Sequence, residues 1–261
     1  MNLRAVLLVA PMVLAGCAGG ALYVPPPYTG EPTPLHPPEE AWARVLKNGV
    51  DEQGRVDFTA VLVNHQDLDR YVAWIYERSP ESWPELYRTR AQVVAYHLNA
   101  YNALAMYNLI QAGVPESLSL TERSRFFEKR EMFVGGQHVS LQAYEDEVIR
   151  NLGDPRVHFA VTSLLAGDPR LSREPFRAGA LDQQLDRAAR NFFAEERNLK
   201  VDDRRRTLVL SPILETYAQD FLQAAPSLTA YINRFRETPL PADYTVEFAD
   251  FDWTVYRKPL R

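Results

Sequence analysis

A single cysteine, Cys17, stands in a chain of 261 residues, and this limits the fold more than any other feature. No disulfide can close within the chain, so stability must come from a buried apolar core. The composition allows one: 46% of the residues are hydrophobic and 24% are charged, as in ordinary globular proteins. The formal net charge of −5 lacks the basic footprint of a nucleic-acid binder. If Cys17 is modified, no thiolate nucleophile or thiolate metal ligand remains.

Cys17 also closes the strongest address signal in the chain. Met1 to Arg4 is polar with one positive charge, and Ala5 to Leu14 is almost wholly apolar. That run is shorter than the roughly 20 residues a spanning helix needs, and it fits the core of a secretory signal. Leu14-Ala15-Gly16-Cys17 resembles the bacterial lipobox. The expectation is cleavage after residue 16 and lipid on Cys17, with residues 1–16 as signal, 17–38 as lipidated tether and 39–261 as one domain. Acyl chains contribute about 0.8 kcal/mol per buried methylene, so two or three of them anchor stably. Ala18 and Gly19 follow the cysteine, with no Asp to resemble an inner-membrane retention signal. The expected address is the periplasmic face of the outer membrane, with the membrane itself as partner through the anchor.

Ala18 to Pro38 contains Pro25, Pro26, Pro27, Pro32, Pro34, Pro37 and Pro38. It reads as an unpacked extended linker, about 3.1 Å per residue and up to roughly 60 Å long. Beyond it the expected helices are Glu39 to Leu46, Asp67 to Arg78, and a long one within Glu85 to Ala112 that Gly113 and Pro115 stop. A hairpin over Met132 to Val139 turns at Gly135-Gly136. Ser140 caps a helix to Asn151. Val157 to Ser163 reads as a central apolar strand. Leu181 to Glu196 is a helix, Leu199 to Val201 and Thr207 to Leu210 a second hairpin. Ser211-Pro212 starts a helix to about Ala224, and another runs from Ser227 to Arg236. Tyr244 to Phe248 and Trp253 to Tyr256 are late strands. No regular βαβ alternation appears. The expected class is α+β: a single domain of several helices around a small, mostly antiparallel sheet.

Four segments carry chemistry. In Tyr96-His97-Leu98-Asn99-Ala100-Tyr101-Asn102-Ala103, Asn99 and Asn102 share one otherwise apolar helix face. Buried amides need partners, at about 1–3 kcal/mol each, so Asn99, Tyr101 and Asn102 suggest a polar helix network. The others are Asp154-Pro155-Arg156-Val157-His158-Phe159-Ala160-Val161-Thr162-Ser163, then Leu208-Val209-Leu210-Ser211-Pro212-Ile213 with Tyr217 and Asp220-Phe221, then Phe251-Asp252-Trp253-Thr254-Val255. Together they resemble the domain-of-unknown-function 547 (DUF547) family, over roughly Gly54 to Val255. The resemblance implies a bacterial domain without a settled activity and a site with cysteines, a histidine and a glutamate. Here the glutamate falls on Glu145, but the adjacent histidine on Asp146. The cysteine positions fall on Ser163 and on Asp168, which precedes Pro169.

The resemblance thus implies a candidate cleft of Glu145, Asp146, Arg156, His158, Ser163 and Asp168, with the thiols replaced. On a strand, His158 and Ser163 lie an odd number of residues apart and face opposite sides, which argues against a nucleophile–base pair. The five histidines show no zinc-ligand spacing, and no cofactor fingerprint is present. The expected function is a non-catalytic envelope binding or scaffold module for a small ligand or another envelope protein. The alternative is a hydrolase or acyl-transfer enzyme working without cysteine.

Overall fold

A computed structural model describes residues 22–27 and 29–259. Cys17 and the signal segment lie outside the described residues. Strand β1 (Leu22–Tyr23) is followed by three helices, α1 (Glu39–Gly49), α2 (Phe58–Val63) and α3 (His65–Glu77). Trp42 of α1 stacks flat on Tyr71 of α3, with ring centroids 5.5 Å apart. The central element is α4 (Arg90–Gln111), opened by a full capping box between Thr89 and Gln92. Sixteen consecutive residues of it, Val94 to Leu109, are buried. A helix apolar on all sides belongs in the middle of a core, and the other elements wrap around it. Gly113, at φ +81°, ends it in the left-handed conformation that glycine adopts without penalty.

Helix α5 (Leu120–Ser124) runs into a π-helical turn. Next come β2 (Arg130–Val134) and β3 (Gln137–Ser140), which form the expected hairpin. Gly135 and Gly136 at its turn have φ +58° and +82°, the pair of positive values a two-residue hairpin turn favours. Ser140 Oγ accepts from Ala143 N and opens α6 (Leu141–Ala143), which continues as a π-helical turn over Tyr144–Ile149. The chain goes on through α7 (Leu181–Ala194), the hairpin β4 (Leu199–Asp202) and β5 (Thr207–Leu210), helices α8 (Pro212–Thr216), α9 (Ala218–Ala224) and α10 (Leu228–Asn233), and β6 (Thr245–Phe248).

The α+β class holds, as one domain, with a correction in the sheets. There are two three-stranded sheets, β1-β2-β3 and β4-β5-β6. Each combines one antiparallel hairpin with one parallel edge strand, so neither is mostly antiparallel. The hydrophobic interior falls into two clusters. One surrounds α3 and α4. The other joins α7, β4, β5, α9 and α10 around Phe159, Phe192, Phe193, Phe221 and Tyr231.

Three local expectations are corrected. Val157 to Ser163 is no strand: Pro155–Phe159 forms a 3-10 turn, with Asp154 accepting from Arg156 N. Asp-Pro is a helix-start signal, and a short apolar run does not distinguish a strand from a buried turn. The helix after Ser211 breaks at Tyr217, whose dihedrals (φ −108°, ψ 23°) separate α8 from α9. Trp253 to Tyr256 makes only isolated bridges, Ser117 to Thr254 and Leu165 to Val255.

The proline-rich segment, over its described part, touches the domain at several points. Leu22 and Tyr23 pair in parallel with Arg130 and Glu131. Val24 is 3% exposed, and its carbonyl accepts from Tyr76 Oη. Glu31 pairs with Arg70, and Thr33 Oγ1 donates to Glu77 at 3.0 Å. One buried valine and an open strand edge on β2 give this segment a seat that its composition does not show.

Candidate functional site

A cleft of about 240 Å³ opens where the two clusters meet, and its lining includes Tyr101, Glu145, His158, Ser163, Asp168 and Tyr217. Asn102 on α4 prepares the floor. Its Nδ2 donates to Ala160 O and its Oδ1 accepts from Thr162 N, both at 2.9 Å. The amide thus occupies the backbone groups that a neighbouring strand would otherwise satisfy. This holds residues 160–162 in an irregular path.

At the next step the chain makes a small nest. Leu164 takes φ +66°, a left-handed value unusual for a non-glycine residue. Ser163 N and Leu165 N then both donate to Asp168 Oδ2, at 2.9 and 3.1 Å. Ser163 Oγ donates to the same oxygen at 2.5 Å. Convergent backbone N–H groups around a left-handed residue form an anion cradle, and here the chain's own carboxylate fills it. The C-terminal segment braces the loop, through Tyr256 N to Leu164 O at 2.8 Å and Ala166 N to Thr254 O at 2.7 Å. Burial lifts the Asp168 carboxyl to about 6, against the lowering effect of those hydrogen bonds.

Glu145 sits on the π-helical turn that follows α6. Its two oxygens accept from Tyr217 Oη at 2.6 Å and Tyr101 Oη at 3.0 Å. Burial raises its carboxyl to about 7, although both tyrosine hydrogen bonds pull the other way. Asp168 nearby adds to the rise. Tyr217 also stacks on His158, with ring centroids 4.0 Å apart and planes 11° from parallel. The Tyr217 ring therefore ties the histidine to the glutamate.

His158 is 3% exposed. Its Nε2 lies 2.9 Å from Asp220 Oδ2, and Asp220 also takes both branches of the Arg150 guanidinium at 3.0 and 3.2 Å. Burial pushes His158 down to about 4, outweighing the opposing pull of Asp220. The ring is neutral near pH 7, with its proton assigned to the nitrogen facing Asp220. The other nitrogen, Nδ1, is buried without a hydrogen-bond partner among the described residues.

The cleft therefore gathers Glu145, His158, Ser163 and Asp168, but two expected members fall outside it. Asp146 is exposed, and accepts from Gln142 Nε2 at 2.6 Å. Arg156 points to Asp154, Asp182 and Asp186 at 2.7–2.8 Å, fastening the 3-10 turn to α7. Neighbouring residues on a helical turn project about 100° apart, so adjacency to Glu145 does not bring Asp146 inward. Nor do Glu145, Arg156 and His158 bond one another; each has its own partners.

The polar helix network is likewise divided. Asn99 clasps the Phe176 backbone, donating to its carbonyl at 2.8 Å and accepting from its amide at 2.9 Å. It also accepts from Trp42 Nε1 at 3.3 Å. It makes no contact with the cleft. Tyr101, by contrast, belongs to the cleft through Glu145. Tyr217 and Asp220 join the site although the sequence assigns them no role. Their separation of three residues, just after the Ser-Pro helix start, was the available signal.

No group of three or more His, Cys, Asp or Glu side chains among the described residues is placed to hold a metal ion. Nor is any described helix long and apolar enough to cross a membrane.

Residues 86–193 match the family model described as a protein of unknown function, DUF547. That segment contains Tyr101, Glu145, His158, Ser163 and Asp168, whereas Tyr217, Asp220 and the Phe251–Val255 block lie beyond it. No curated protein and no solved structure matches the chain.

Proposed function

We propose, for a chain whose residues 86–193 match the DUF547 family model, that this domain is a binding module. Its cleft over Glu145 receives a small ligand rather than acting through a serine nucleophile. The observation that carries this reading is the filled nest. Acyl transfer needs an activated hydroxyl, a base turned on it, and N–H donors free for a developing oxyanion. Ser163 Oγ donates a hydrogen bond to Asp168, and Ser163 N and Leu165 N are bonded to that same carboxylate oxygen, so neither N–H is free for an oxyanion. His158, the other candidate base in the cleft, is held by Asp220. The oxyanion donors and the histidine are thus engaged internally, while the cavity beside them stays open.

The module's place in the cell rests on the N-terminal sequence. The apolar run and Leu14-Ala15-Gly16-Cys17 support export and lipid attachment, and Ala18 supports the outer membrane's periplasmic face as address.

The test is turnover. Purified chain offered small activated esters and peptide anilides should hydrolyse them no faster than buffer does. Hydrolysis that disappears in Ser163→Ala overturns the binding reading in favour of a thiol-independent hydrolase. For the anchor, metabolic labelling with palmitate should mark the wild type and leave Cys17→Ser unlabelled. Mature wild-type protein without acyl groups overturns that part.

A further inference from the structure

Two carboxyl groups set the charge of the cleft. Asp168 engages the protein only through Oδ2, so its Oδ1 accepts from no group among the described residues. His158 lines the same cleft, with its unpartnered Nδ1 buried. Glu145 presents a carboxyl whose oxygens each take one tyrosine hydrogen bond, leaving acceptor capacity on both. The hydroxyls of Tyr101 and Tyr217 turn to Glu145, and that of Ser163 turns to Asp168. No lysine or arginine lines the cleft. The opposite wall is aromatic, formed by Phe127, Phe251 and Trp253.

Two carboxyl groups with no cation in the lining, beside an aromatic wall, suit a positively charged ligand. A carboxylate or phosphate would meet carboxyl groups with no cation to offset them. A primary ammonium has three N–H donors, no acceptor and a positive charge, and aromatic faces attract it further. A single metal ion is disfavoured, because these side chains do not converge as a ligand set. We propose that the cleft binds a small primary amine in its ammonium form, the head between Glu145 and Asp168 and an apolar body against Phe127, Phe251 and Trp253. This rests on the binding reading above and names its ligand class.

The charges around the site set how binding depends on pH. Asp168 lies near Glu145, with Asp146 further out, and Arg197 acts on Asp168 from the other side. His158 faces the Asp220–Arg150 pair. Protonating Glu145 or Asp168 removes the counter-charge, so affinity falls as the solution is acidified through their range.

Benzylamine and benzyl alcohol form a matched probe pair, alike in size and differing in charge. Titrated calorimetrically into the full chain in detergent at about pH 8, the amine should bind at least about tenfold more tightly than the alcohol, a difference of about 1.4 kcal/mol. Its affinity should fall by about tenfold or more on going to about pH 5, and again in Glu145→Gln at constant pH. The wild-type pH series needs no variant, so misfolding of Glu145→Gln cannot mask the result. Equal affinity for the two probes overturns the ammonium class while leaving a binding cleft. Failure of the amine to saturate, or affinity independent of pH and of Glu145, overturns it as well. Ester turnover lost in Ser163→Ala instead overturns the binding reading itself, so the two failures are told apart.

Discussion

Replacing Glu145 by glutamine should make the stability difference from wild type grow with pH. The buried carboxyl titrates at about 7 instead of 4.5, so the folded protein binds this proton more tightly than the unfolded chain does. A value raised on folding means stabilisation that is fully present below about pH 4.5 and is lost as pH rises through about 7. At 1.36 kcal/mol per pH unit, the interval sets a ceiling of about 3 kcal/mol. The residue is only partly buried and borders an open cleft, so screening by water reduces this to about 1–2 kcal/mol. Glutamine has no proton to lose, and its amide oxygen still accepts from one of Tyr101 and Tyr217. The other hydroxyl must turn to accept from the amide N–H, a fixed loss of about 1 kcal/mol at every pH. The variant should therefore be slightly weaker than wild type near pH 4.5 and gain on it steadily to about pH 8. Urea unfolding of both proteins across that range measures the difference directly, and it cancels the titrations of His158 and Asp168 to first order. Parallel curves would refute the claim that burial raises this carboxyl, as would a difference of the opposite slope.

Three further outcomes follow from the same geometry. His158 should stay neutral down to about pH 4 by NMR titration. Its value is lowered on folding, so its contribution to stability is present above about 6.5 and is lost as pH falls toward 4; a midpoint near 6.5 contradicts the enclosed ring. Asn102→Leu should cost about 1–3 kcal/mol in denaturant unfolding, because Ala160 O and Thr162 N lose their partner, and an unchanged midpoint contradicts the bracing role. A chain beginning at Glu39 should melt below one beginning at Leu22, since burying Val24 alone contributes about 1.5 kcal/mol; identical melting shows that the N-terminal segment adds nothing.

The two levels of description diverge in instructive ways. Helix α4, the glycine hairpin and the Ser-Pro start were legible because each rests on local chemistry: periodicity, paired positive φ angles and a cap. Glu145, His158, Ser163 and Asp168 were found through the family spacing. What escaped was direction. Asp146 and Arg156 neighbour cleft residues in the chain but turn toward Gln142 and toward three aspartates. Tyr217 and Asp220 are some 60–70 residues from the groups they hold, at separations of 72 and 62, so no local pattern could pair them. Leu164 adopts its left-handed backbone because Asp168 rewards it with converging amides, a tertiary cause that a leucine does not announce.

The docking of Leu22 to Val24 on the β2 edge changes how much freedom a lipid anchor would leave. With lipid on Cys17, only five peptide units separate the anchored residue from Leu22, a covalent reach of about 18 Å. The radius of gyration expected for a domain of this size is also about 18 Å. A body moored on a line no longer than its own radius cannot turn over. It would skim the bilayer with the β1–β2 edge toward the lipid, meeting solutes that travel along the membrane surface more often than those crossing the space beyond it.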